Sequence, residues 1–143
     1  TSFGYALEQA CQRWPGIGTI AFGDLFLADI QAYREALCAR FGWTPLFPLF
    51  GSSTATLART MLAGGLRAHL CCVDTTQLDA GFAGRAFDAE LLDELPRGVD
   101  PCGENGEFHT CVVAGPMFSR RIAVTPGERV ERDGYAYCDL VMA

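Results

Sequence analysis

The stretch LRAHLCCV, residues 66–73, has the apolar character of a buried β-strand, and GTIAF at residues 18–22 shares it. An acidic residue follows each stretch, Asp24 after GTIAF and Asp74 after LRAHLCCV. Apolar runs without polar alternation are typical of parallel strands covered by helices on both faces. Two such strands bury too little surface alone. We therefore expect the sheet to be completed either by an earlier part of a larger α/β protein or by a partner chain.

Helical patterns alternate with these stretches. Apolar residues recur at helical spacing in three segments, residues 3–14, 25–41 and 53–61. The segment PLFPLF at residues 45–50 is not helical, because each proline restricts the residue before it to extended shapes; it is either a linker or an edge strand. Residues 1–78 therefore have the pattern of an α/β domain.

After residue 78 the pattern changes to short alternating strands. They are expected at residues 108–113, 121–125, 129–132 and 135–141. Asp133-Gly134, between the last two, is a strong signal for a tight hairpin. We therefore predict a second, small α+β domain with antiparallel strands in residues 79–143.

The turn GENGEFHT, residues 103–110, concentrates groups that can do chemistry. Glu104 and Glu107 lie three residues apart, so a turn can bring both carboxylates onto one ligand. Their proximity can raise one pKa and create a general acid or base, or the pair can hold a cation. His109 adds a proton carrier, although strand alternation turns it away from Phe108. On chemistry alone, this segment is either a functional turn or a solvated hairpin.

A second candidate site lies where the two apolar strands end. Ligands of open α/β sheets bind beyond the carboxyl ends of the strands, where Gly23-Asp24 and Asp74 are expected. Each carboxylate can bind a metal carried by nucleotide phosphates or accept a hydrogen bond from a ribose hydroxyl. Each can equally be a helix cap or a turn former.

Composition excludes several classes of function. The formal net charge of −6 and the scattered arginines argue against a nucleic-acid partner, which requires clustered positive charge. No run approaches the roughly 18 apolar residues of a membrane helix, and no export signal is visible. We therefore expect no membrane partner and a cytoplasmic location.

The 7 cysteines do not form a metal or disulfide pattern, since no Cys-x-x-Cys pair occurs and the count is odd. Small buried hydrophobic side chains in a reducing compartment are the simpler interpretation. Cys102 is the exception to watch, because it abuts the acidic turn and is either reactive or packed.

Several separate blocks, in order, resemble bacterial PP-loop ATP pyrophosphatases related to diphthine-ammonia ligase, which are often labelled adenine nucleotide alpha hydrolases. The blocks are FGDLFLADI at 22–30, YRE at 33–35, PLFPL at 45–49, FAGR at 82–85, GVDPCGENGEFHT at 98–110 and GPMF at 115–118. The resemblance covers nearly the whole chain from about residue 21.

The resemblance implies a HUP-like (Rossmann-like) parallel sheet in residues 1–78, as the carboxyl-terminal part of a nucleotide-binding domain, and a substrate-side domain in residues 79–143. In the ligase relatives, ATP with Mg²⁺ adenylates a carboxylate, and ammonia then displaces AMP to give an amide. The resemblance implies that Asp24 lies near the nucleotide, and together with Gly23 and Asp74 at the strand ends it makes up the predicted nucleotide-binding set. Those implied to face the acyl acceptor or ammonia are Glu104, Asn105 and Glu107, and His109 completes the predicted catalytic set.

The chain departs from the family in lacking a Ser-Gly-Gly-x-Asp-Ser type loop, which cradles the ATP phosphates. The segment GSST at residues 51–54 is the nearest candidate, but it lacks the acidic residue, and Ser53 or Thr54 is instead expected to cap the helix that follows. We therefore expect a truncated polypeptide, or one completed by another chain, with no ATP turnover by itself.

Two alternatives from other classes stay open. One is a non-catalytic ligand-binding or regulatory module that keeps the acidic pocket. The other is a metal-dependent hydrolase using Glu104, Glu107 and His109. The substrate, a small-molecule or protein carboxylate, is not identified, and exposed sheet edges would favour a homo-oligomer.

Overall fold

The polypeptide divides into two compact units, Thr1–Ser52 and Ser53–Ala143, in the computed structural model, which describes residues 2–143. The predicted boundary at residue 78 falls inside the second unit. The predicted functional division at that residue, with the nucleotide side before it and the substrate side after it, stays a prediction.

The first unit contains two helices and two short strands. Helices α1 (Ser2–Arg13) and α2 (Ala28–Phe41) alternate with strands β1 (Thr19–Ala21) and β2 (Thr44–Leu46). The two strands pair in parallel, with Ile20 opposite Pro45. The expected parallel strand near residues 18–22 is therefore confirmed, and the proline-containing segment begins with a strand. Helix α2 ends at Gly42, whose φ of 68° lies in the left-handed region that glycine adopts without strain.

The second unit is built on a five-stranded antiparallel sheet. Its strands are β3 (Arg67–Asp74), β4 (Ala86–Phe87), β5 (Phe108–Ala114), β6 (Val124–Arg132) and β7 (Tyr135–Met142). Its helices are α3 (Thr54–Ala63) and α4 (Ala89–Glu94), with a 3₁₀ turn at Ala80–Phe82. None of the helices within residues 2–143 has the length and apolar character needed to cross a membrane.

The central strand β3 corrects one expectation. It pairs antiparallel with β4, β5 and β7, so the apolar run at residues 66–73 is not a parallel strand. An irregularity in its pairing with β5 between Leu70 and Cys72 explains the misleading pattern. The bulge shifts the alternation of side chains, so that Leu70 and Val73 are both fully buried. The half-buried Cys71 and Cys72 between them make the run look continuously apolar.

The core of the second unit lies against one face of this sheet. It includes Leu70 and Val73 of β3, Phe108 of β5 and Leu91 of α4. Ser53 caps α3 by accepting a hydrogen bond from the backbone N–H of Thr56, as the sequence predicts.

The predicted hairpin at Asp133-Gly134 is confirmed and joins β6 to β7. Both turn residues have positive φ, 54° and 83°, as expected for a two-residue hairpin loop. The two strands expected at 121–125 and 129–132 are replaced by one strand, β6, whose pairing with β7 is irregular between Pro126 and Arg129.

Candidate functional site

Residues 100–107, here called the acidic loop, form the second part of the connection between α4 and β5 and contain two successive turns. Gly103 N–H donates to the carbonyl of Asp100 at 2.9 Å, and Gly106 N–H donates to the carbonyl of Gly103 at 3.0 Å. Gly103 has a φ of 68°, and a Cβ at that position would lie 2.7 Å from the backbone oxygen of Phe108. Only glycine satisfies both the dihedral angle and the close approach.

Glu107 lies inside the acidic loop, with 1% of its surface exposed. Its Oε1 accepts hydrogen bonds from Asp100 N–H at 2.8 Å and from Asn105 Nδ2 at 3.0 Å. Its Oε2 accepts from Asn105 N–H at 3.0 Å. The carboxylate therefore joins the start of the loop to its tip.

The pKa of Glu107 is lowered, as the balance of two opposing effects. Burial raises the pKa, but the hydrogen bonds from the backbone of Asp100 and from the side chain and backbone of Asn105 outweigh burial. The expectation that the Glu104–Glu107 spacing raises a pKa is therefore wrong for Glu107. An ionised carboxylate of this kind stabilises the loop and is poorly suited to donate a proton at neutral pH.

Asp100 is a second buried carboxylate, 8% exposed, which the sequence analysis missed. Its Oδ2 accepts from the backbone N–H of Cys102 at 3.1 Å and of Glu104 at 3.0 Å. A signal was present in the order Asp-Pro-x-Gly, because aspartate starts turns by accepting from nearby backbone N–H groups and proline favours the next position.

The predicted catalytic residues do not all meet. Glu104 is half-buried and Asn105 is exposed, and both belong to the tip of the acidic loop. His109 is exposed on β5, opposite Cys72 in the register, while its neighbour Phe108 is buried in the core. The expectation that His109 points away from Phe108 is confirmed. His109 therefore takes no part in the hydrogen-bonded cluster around Glu107.

Asp74 lies at the end of β3, and its backbone N–H donates to the carbonyl of Glu107 at 2.9 Å. Its Oδ1 accepts from the N–H and hydroxyl of Thr76, at 2.9 and 2.6 Å, and its Oδ2 accepts from Gln77 Nε2 at 2.8 Å. The hydrogen bond from the Thr76 side chain, followed by that from Gln77, holds the pKa of Asp74 below its usual range. The side chain thus acts as a turn former.

Gly23 and Asp24 follow β1 in the first unit. Both oxygens of Asp24 accept from Arg34, whose Nε lies 2.7 Å from Oδ2 and whose Nη2 lies 3.2 Å from Oδ1. The same guanidinium lies over the ring of Phe22, 4.6 Å from its centroid. Both carboxylates predicted to contact ATP and Mg²⁺, Asp24 and Asp74, thus have intramolecular partners at each oxygen. The nucleotide-binding role of Gly23, Asp24 and Asp74 stays a prediction, which these contacts do not support.

Cys102 is packed against α3. Its Sγ lies 3.4 Å from the carbonyl oxygen of Thr54. Burial, followed by the negative charges of Asp100 and Glu104, raises the pKa of Cys102 to about 11. Since the thiolate is the nucleophile, the structure favours the packed interpretation over the reactive one.

Among residues 2–143, no three His, Cys, Asp or Glu side chains are grouped so that they could hold a metal ion. The metal-dependent alternative therefore gains no support. The pocket that Cys102 and Phe108 help to line is apolar and has a volume of about 120 Å³. That volume is below the roughly 300 Å³ typical of small-molecule sites, so this pocket does not fit a nucleotide.

Comparison with known proteins gives a consistent result. The model of the family described as diphthamide synthase C-terminal domain matches residues 53–142. A diphthine–ammonia ligase of Schizosaccharomyces pombe is 30% identical over 139 residues, covering 94% of this chain and 23% of the relative. The Homo sapiens protein of that name is 32% identical over 139 residues, covering 93% of this chain and 52% of the relative. The Danio rerio protein is 36% identical over 110 residues, covering 73% and 43%. The chain thus spans about half of these relatives or less.

Proposed function

Because the chain belongs to the diphthamide synthase C-terminal domain family, we propose that it supplies the acceptor side of an ATP-dependent amide ligase. The reaction proposed for the whole protein joins a carboxylate to ammonia, with ATP cleaved to AMP and pyrophosphate. Acyl adenylation before ammonia transfer belongs to this proposal, as does the requirement for Mg²⁺. Since Asp24 and Asp74 are already hydrogen-bonded, no direct contact with ATP or Mg²⁺ is assigned to them.

The observation that supports this role is the construction of the acidic loop. Two buried carboxylates, Asp100 and Glu107, accept hydrogen bonds from the backbone N–H groups of four loop residues: Asp100, Cys102, Glu104 and Asn105. Such a network holds the backbone of the tip in one conformation. A catalytic group is effective when its supporting hydrogen bonds are formed before the substrate arrives.

The tip offers the chemistry that amide formation from ammonia requires. The carboxylate of Glu104 can accept an N–H of ammonia and take the proton released when its nitrogen attacks the acyl carbon. The Asn105 amide nitrogen carries two hydrogens, one donated to Glu107, so the other can be donated to an oxygen of the acyl group. Glu107 is too deeply buried to face the acceptor, and we assign it a positioning role.

The test is AMP and pyrophosphate release by the whole polypeptide with ammonia and a panel of carboxylates that begins with a diphthine-bearing protein. Glu104→Gln should lower the turnover number by about 10²–10⁴-fold, the range for losing a general base. Glu8→Gln removes the same charge from an exposed position on α1 and should leave turnover unchanged. A whole polypeptide that never consumes ATP with any carboxylate would falsify the proposal.

One observation favours the second candidate, a non-catalytic ligand-binding or regulatory module. The carboxylates expected to contact nucleotide are engaged within the chain, as a module without chemistry would allow. ATP consumption separates the two: the module predicts binding of a carboxylate ligand, measured by calorimetric titration, with no release of AMP or pyrophosphate, whereas the ligase proposal predicts both.

A further inference from the structure

Strand β6 is an open edge of the sheet in the second unit. It pairs on one side with β7, and no other strand of residues 2–143 pairs with it. Each of its residues from 125 to 132 is exposed. An open edge carries unpaired N–H and carbonyl groups that can pair with another strand.

The sequence of this edge is complementary to itself in the reverse direction. Residues 128–132 read Glu-Arg-Val-Glu-Arg. In an antiparallel pair centred on Val130, residues equally distant from the centre lie opposite each other. Glu128 then lies opposite Arg132 of the second strand, Arg129 lies opposite Glu131, and Val130 lies opposite its own copy. All four charged pairs would join opposite charges, an arrangement that stabilises antiparallel strands.

Charges on an edge strand usually prevent association. That protection works when like charges meet, whereas here the two copies present opposite charges at every charged position. We propose that β6 is a self-association surface, which pairs antiparallel with β6 of a second copy of this chain about a two-fold axis at Val130. The isologous interface that results is the commonest kind in homodimers.

The structure also indicates which pairs decide specificity. Arg129 donates a hydrogen bond to the carbonyl of Ala83 at 2.9 Å within its own chain, so this guanidinium is only partly available to pair with a second copy. Arg132 is mostly exposed: its ion pair with Asp133 is long at 3.7 Å, and its guanidinium lies 5.5 Å from the centroid of the Tyr137 ring. The two symmetric Glu128–Arg132 pairs are therefore the ones to perturb. The strand irregularity before Arg129 and the turn at Asp133-Gly134 limit the interface to a short segment, so a weak dimer is expected.

Charge reversal provides the test. Glu128→Arg places two arginines opposite each other in both outer pairs, and Arg132→Glu places two glutamates there. Each variant alone should dimerise about tenfold or more weakly than the unchanged chain. In an equimolar mixture, both outer pairs again join opposite charges, so the two variants should form a heterodimer. Sedimentation gives the dissociation constants, and native mass spectrometry identifies the heterodimer by its mass.

The matched control is Glu8→Arg, which makes the same charge change at an exposed position in the first unit and should leave dimerisation unchanged. Rescue in the mixture also shows that both variants are folded. A monomer at every concentration from about 1 µM to about 1 mM would overturn the proposal. So would variants that dimerise as well as the unchanged chain, or a mixture with no preference for the heterodimer.

Discussion

Replacing Glu107 by glutamine removes one negative charge from the acidic loop with little change in volume. The best orientation of the new amide keeps its oxygen at the Oε1 position, where it still accepts from Asp100 N–H and Asn105 Nδ2. Its NH₂ group then faces Asn105 N–H, which donates to Oε2 in the unchanged chain. One charge-assisted hydrogen bond is lost and two donors are brought together.

A hydrogen bond to a charged group contributes about 1.5–3 kcal/mol, so we expect Glu107→Gln to lower the free energy of unfolding of the second unit by about 3 kcal/mol at pH 7. With a urea m-value of about 1.5 kcal/mol/M, the unfolding midpoint falls by about 2 M. Circular dichroism measures the transition. Trp14 and Trp43, both in the first unit, report separately on that unit by fluorescence. Glu8→Gln, at an exposed position, should change stability by less than about 0.5 kcal/mol.

The pH dependence gives a second test, whose sign follows from the lowered pKa of Glu107. A carboxylate whose pKa is lowered in the folded state contributes its full stabilisation at pH values above the ordinary glutamate pKa of 4.5. That contribution is lost as the pH falls through the lower folded-state value. Glutamine does not titrate, so the two proteins should differ most at neutral pH and converge in acid. Equal stability at pH 7, or a difference that grows as the pH falls, would refute the reasoning.

Two further predictions concern the same loop. Gly103→Ala should destabilise the second unit by about 2–3 kcal/mol, because the added methyl group clashes with Phe108 and the φ is unfavourable for alanine. Gly106→Ala should cost only about 1 kcal/mol, because this position has an unfavourable φ of 82° but open space around it. Equal unfolding midpoints in urea for the two variants would contradict this prediction. With a pKa of about 11, Cys102 is ionised in only about 1 molecule in 3,000 at pH 7.5, so iodoacetamide should modify the exposed Cys111 much faster. Peptide mass analysis follows both sites, and denaturant should remove the difference, so equal rates in the folded protein would speak against the packed interpretation of Cys102.

The sequence predicted the structural elements that are determined by residues close to one another in the chain. Asp133-Gly134 predicts its hairpin because few residue pairs adopt two positive φ angles, and Ser53 predicts the start of α3 because its hydroxyl can accept from a nearby N–H. The apolar run of β3 predicts a buried strand but not its partners. The direction of strand pairing depends on segments far along the chain, and a bulge between Leu70 and Cys72 interrupts the alternation of buried and exposed side chains.

For the acidic loop too, some features follow from the sequence and others only from the tertiary structure. By itself, the sequence determined that acids, an amide and glycines are concentrated in the turn at residues 103–107, and it left the role of Asp100 unpredicted. Only the tertiary structure decided that Glu107 is buried and structural while Glu104 and Asn105 remain at the tip. The reason is that charge and residue type are properties of the chain, whereas the burial of Glu107 depends on how the loop folds around its side chain and on the contact with β3, where Asp74 N–H donates to the carbonyl of Glu107.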